Sequence, residues 1–311
     1  MIHCQMMSHS RGFAWVLLSG FLMAGMGAVG GTEPLPEPPD WTAWKAKRLE
    51  SVAGTNGWAT LVGLFWLPEG TSTFGSSSSN TFVLLPQLAP ANIGSFVRSG
   101  TNVEFIAQPG VEVTTNHSRV ERLNLRSDDA GASPTVVTVG QLRFFLIQRG
   151  ERLGIRAKSP LAPTRVHFLG LDYFPYQPDW RLDGQFEAVP AGTTVQIADV
   201  TGAVKAETVA GAVTFEVGGK PYRLLALDDD ETHDLWLIFK DGTSGRTTHG
   251  GGRFLHVAKP GPDGRLTVDF NFAYSPPCTY TPFATCPLPP RENYLTLAVP
   301  AGEKKYRGET E

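Results

Sequence analysis

Short apolar runs punctuated by turn residues constrain this chain more than any other feature. From residue 58 onward, segments such as TLVGLFWL (60–67), NVEFIA (102–107), LRFFLIQR (142–149), RLGIRAK (152–158), YRLLAL (222–227) and DLWLIF (234–239) recur between Gly, Pro, Asn and Ser residues. Their β-branched and aromatic content, and a spacing of about ten residues, predict antiparallel strands in a sandwich or barrel. With 34 Gly and 24 Pro in 311 residues, long helices are disfavoured. One helix is predicted: Asp40 caps a segment with Trp41, Trp44, Leu49 and Val52 on one side, and Gly54 ends it. The fold class expected is all-β with one short N-terminal helix. It comprises a β-sandwich over 58–160 and a second antiparallel β domain, barrel or sandwich, over 161–311. The strand-like run YLTLAV (294–299) closes the second series.

Residues 1–30 read as a cleaved signal peptide. Arg11 precedes an uncharged apolar run over 13–29, and Ala28-Val29-Gly30 offers the small residues that a signal peptidase reads. Residues 31–57 join a Pro-rich linker to the helix. A periplasmic or secreted location follows. Removing the leader takes one Arg and no acid, moving the net charge from −3 to −4. Such a chain carries no electrostatic footprint for nucleic acid, and after cleavage no segment for a membrane. It also loses Cys4. The remaining even pair, Cys278 and Cys286, predicts a disulfide in an oxidising compartment. The alternative is a Cys278 thiolate nucleophile, which needs a histidine partner.

The C-terminal quarter carries the candidate chemistry. Pro276, Pro277, Pro282, Pro287, Pro289 and Pro290 stiffen an irregular backbone that bears carboxylates and one Arg. Arg253 follows Gly250-Gly251-Gly252, and its planar fork suits a carboxylate, phosphate or sulfate. Arg253, Asn271 and Glu303 are the expected ligand-binding residues. Asp241, Asp269, Tyr274 and Glu292 are the candidate acid–base groups. Asp269 and Asn271, two apart, are expected on one strand face. The same residues have a scaffold reading: Asp241-Gly242 as a turn, and Arg253 with Asp269 as a buried ion pair. There is no G-x-S-x-G, H-E-x-x-H, P-loop or paired C-x-x-C, and the histidines lack ligand spacing. No metal or cofactor is expected.

Two resemblances add to this. EGTSTFGSSSSNTFVLL followed by GQLRFFLIQRG resembles the forkhead-associated sandwich, which implies a β-sandwich over the N-terminal half. Ser76 stands where that family has Arg, so phosphopeptide reading does not carry over. The chain as a whole resembles an uncharacterised bacterial family, domain of unknown function 1684. The resemblance lies in GWATLVGLFWLPEG (57–70), FLGLDYFPYQPDWR (168–181), KDGTSGRTTHGGGRFL (240–255), DFNFAYSPPC (269–278), CPLPPREN (286–293) and AGEKKY (301–306). His249 departs from a family preference for Tyr. The expectation is an exported protein that binds, and as an enzyme would hydrolyse or cleave, a small anionic or polyhydroxylated ligand. The alternative is a non-catalytic envelope protein that docks a protein partner through residues 58–160.

Overall fold

The computed structural model describes residues 37–129, 133–229 and 232–308; the expected signal peptide and the start of the linker lie outside the described residues. The helix α1 (Pro39–Ala53) starts on a proline, whose fixed φ suits the first helical position. Asp40 therefore sits in the first turn and not at the cap. Gly54 ends the helix as expected. The buried face is Trp41, Arg48 and Val52, while Leu49 is exposed. An arginine can occupy that face because Glu303 meets it there at 3.0 Å.

Eleven strands follow: β1 (Leu61–Trp66), β2 (Gly70–Gly75), β3 (Phe82–Val83), β4 (Gly94–Ser99), β5 (Asn102–Ala107), β6 (Thr114–Thr115), β7 (Ser118–Arg119), β8 (Arg122–Asn124), β9 (Val136–Val139), β10 (Leu142–Arg149) and β11 (Arg152–Lys158). They form a six-stranded sheet, β1-β11-β10-β9-β6-β7, and a five-stranded sheet, β3-β2-β4-β5-β8. One core joins the two. Phe74, Phe96 and Phe105 from one sheet pack edge-on against Phe144 from the other, at 5.1–5.7 Å between centroids. This is the sandwich that the alternation predicts.

A single helical turn, α2 (Pro163–Val166), leads to β12 (Arg181–Glu187), β13 (Thr194–Ala198), β14 (Val204–Val217), β15 (Lys220–Asp228), β16 (Leu235–Phe239), β17 (Arg253–Val257) and β18 (Arg265–Asp269). Their sheet runs β17-β16-β15-β14-β12-β18, with β13 paired to β14. β16 is apolar on both faces. Leu235, Leu237 and Phe239 enter one core with Phe270 and Val299, and Trp236 and Ile238 enter another with Phe254 and Cys286. The continuous run DLWLIF thus marks a strand covered on both sides. Residues 294–299 form no strand. Leu295 and Val299 fill the core, but their amides bond to Lys240 O and Asp241 Oδ1 in a turn, which has no ladder to extend. Conversely, residues 253–257 are a regular strand where irregular backbone was expected.

Candidate functional site

The residues singled out in the sequence divide into three groups, with Glu292 apart from all of them. Arg253 and Asp241 form an ion pair at 2.8 Å, with both side chains fully buried. Arg253 also donates to the carbonyls of Ala301 and Val299. Asp241 accepts from the Thr243 N–H, the Thr243 hydroxyl and the Val299 N–H. Desolvation lowers the Arg253 pKa, and Asp241 opposes that shift. The partner is thus Asp241, not Asp269. Asp269 ends β18 and accepts from the N–H and side-chain amide of Asn271, with Arg181 at 3.6 Å from its other oxygen. Asn271 is fully buried and clamps the Gln177 backbone, accepting from its N–H and donating to its carbonyl. Glu292 is exposed in a turn, apart from the others.

Glu303 and Tyr274 belong to a different neighbourhood. Glu303 holds Arg48 and accepts the Tyr280 hydroxyl. The Arg48 guanidinium lies 4.6 Å from the centre of the Tyr274 ring. Tyr274 and Arg48 line a cleft of about 740 Å³ where α1, the six-stranded sheet and the C-terminal sheet meet. The Tyr274 hydroxyl is 2.8 Å from His256 Nε2, and His256 Nδ1 is 3.2 Å from Asp229. Burial raises the Tyr274 pKa well above its ordinary value.

The opposite wall carries what sequence reasoning missed. Arg156 on β11 is 4 % exposed. Its Nη2 donates to Thr285 Oγ1 at 3.2 Å, and its Nε has no hydrogen-bond partner. Among the described residues no carboxylate pairs with it. Burial and the neighbouring Arg149 lower its pKa to about 10. Arg149 donates to the same Thr285 hydroxyl but is neutralised by both oxygens of Asp128. Trp44, Trp58 and Trp236 supply apolar walls. A second groove of similar volume crosses β12, β14 and β18, but its charged groups, Asp183, Glu216 and Arg265, are exposed.

At the cleft wall, to which Cys286 contributes, Cys278 and Cys286 are free thiols, which corrects the expected disulfide. The Cys278 N–H donates to the Cys286 sulfur at 3.2 Å, while the Cys278 thiol turns to His249 Nε2 at 3.9 Å. Hydrogen bonding from Cys286, aided by His249 and opposed by burial, brings the Cys278 pKa down to about 5. The same hydrogen bond, with burial, pushes Cys286 up. Gly251 keeps His249 in place, since a Cβ there would lie 2.7 Å from its Nε2. Among the described residues no cluster of three or more His, Cys, Asp or Glu could hold a metal, and no helix is long and apolar enough to cross a membrane.

The family described as "Protein of unknown function (DUF1684)" matches residues 166–304. The solution NMR structure of an uncharacterized protein of Haloarcula marismortui is 32% identical, with 47% of this chain and 82% of that one covered and a TM-score of 0.38. No curated protein matches. The likeness to the DUF1684 family thus lies in residues 166–304 of this chain.

Proposed function

We propose that this protein binds a small ligand bearing a carboxylate, phosphate or sulfate in the cleft beside Arg156. The observation that carries this is a guanidinium only 4 % exposed, with an unpartnered Nε and, among the described residues, no carboxylate paired with it, at the wall of a cleft of about 740 Å³. A buried charge without a counter-ion costs several kcal/mol, and an anionic ligand removes that cost. The tryptophan walls suit the apolar faces of a polyhydroxylated ligand. Tyr274, held by His256 and Asp229, is the group placed to exchange a proton with whatever binds.

The test is a set of melting curves with phosphate, sulfate, citrate and glucuronate at constant ionic strength, with chloride as control. The wild type should be stabilised by at least one oxyanion; a ligand at a hundredfold its Kd adds about 2.7 kcal/mol. Arg156→Lys should fold equally well and lose most of that response, because the ammonium lacks the planar fork. A wild type indifferent to every oxyanion, or a lysine variant with an unchanged response, contradicts the reading.

A further inference from the structure

The two thiols and His249 are unexplained by an anion site. We infer that Cys278, Cys286 and His249 form a thiol–disulfide exchange site that reduces small organic disulfides. The inference stands on placement. Cys278 is half-buried and Cys286 is buried at the wall of the cleft, so Cys278 is the more exposed thiol. Its sulfur is 3.9 Å from an imidazole nitrogen, and its own N–H donates to the Cys286 sulfur at 3.2 Å. A half-buried thiol beside a base, with a second thiol in the same corner, is the arrangement of an attacking and a resolving cysteine. The low pKa of Cys278, about 5, agrees with the attacking role.

The exchange runs in two steps. His249 takes the Cys278 proton, and the thiolate electron pair attacks one sulfur of the disulfide R–S–S–R. The S–S bond breaks, Cys278–S–S–R forms, and the first R–SH leaves with the proton from His249. Cys286 then attacks the Cys278 sulfur, giving up its proton through His249 to the second R–SH. The protein dithiol is oxidised by two electrons to one internal disulfide, and one external disulfide is reduced to two thiols.

The full-length folded protein is treated with 2-hydroxyethyl disulfide, a neutral reagent, so that the outcome does not depend on the anion site. Tryptic mapping reads the peptide 266–291, which contains both cysteines and excludes Cys4. In the wild type that peptide should lose two hydrogens, as two thiols are released for each Cys278–Cys286 pair oxidised. Cys286→Ser should stop at a mixed disulfide on Cys278, and Cys278→Ser should react at least tenfold more slowly, since the activated thiolate is gone. His249→Gln should slow capping of Cys278 by iodoacetamide about tenfold, a measurement that needs no cysteine variant to fold. The inference is overturned if wild-type Cys278 is no more reactive than Cys286. It is overturned equally if the mixed disulfide on Cys278 never passes to an internal disulfide.

Discussion

Arg253 and Arg156 are both buried arginines, and their surroundings give them opposite roles. Arg253 has a carboxylate at 2.8 Å and two backbone carbonyls, so its charge and most of its donors are satisfied. Arg156 has one hydroxyl. The first arrangement stores stability in a pair that cannot be broken cheaply. Asp241→Asn, which leaves a bare buried guanidinium, should cost about 3–5 kcal/mol in urea unfolding. Arg253→Met should cost a similar amount. The double variant Asp241→Asn/Arg253→Met should lose clearly less than the sum, because the two side chains share one interaction. Additive losses would mean that each group is held by its other partners and not by the pair.

At the scale of elements, α1 is held to the C-terminal body by a few strong anchors. The Trp41 indole is 1 % exposed and donates to Asn271 O at 2.9 Å, and the ring packs edge-on against Tyr173 and Tyr176. About two turns further along the same face, Arg48 reaches Glu303 and Ser275 O. The helix has no side-chain cap, so packing must supply its stability. Trp41→Ala should cost about 3–5 kcal/mol. Trp41→Phe, which keeps much of the ring and loses the N–H, should cost about 1 kcal/mol. Hydrogen exchange over residues 39–53 should accelerate in the alanine variant before the rest of the fold responds. Equal costs for the two variants would place the anchoring in the hydrogen bond and not in the packing.

At the scale of the molecule, cations on β10 and β11 crowd one face of the sandwich. Register sets Arg143 opposite Lys158 and Phe145 opposite Arg156, on the face that the C-terminal loop at Thr285 covers. Burial, followed by Arg156 and Arg143, lowers the Lys158 pKa from an ordinary 10.5 to about 8. The folded chain therefore holds fewer protons at this group than the unfolded chain between those values. Stability from it is full above pH 10.5 and is lost as the pH falls through 8. Lys158→Met should be more stable than the wild type below pH 8, and the difference should close as the pH approaches 10.5. Urea unfolding of both proteins across that range checks this. An advantage that does not change with pH would assign it to apolar packing.

Local pattern was enough to read the all-β class, the N-terminal helix ending at Gly54 and the strand bounds near 102–107, 142–149 and 152–158. Period-2 alternation and turn residues are short-range properties that a sequence displays directly. The polar C-terminal quarter was equally visible as special, yet its residues separated into a buried clamp at Arg253 and Asp241 and a cleft wall at Tyr274. Which carboxylate meets which arginine is set by pairing across many residues, and spacing does not encode it. Along β11, Arg152, Arg156 and Lys158 alternate with Leu153, Ile155 and Ala157, and alternation alone distinguishes the two faces without saying what covers either. Only the tertiary structure lays the Thr285 loop and α1 near that side and turns Arg156 from a surface charge into a buried one. The same holds for the thiols: the sequence supplies the pair, and the fold decides that Cys278 meets His249, because a glycine at 251 lets the imidazole approach.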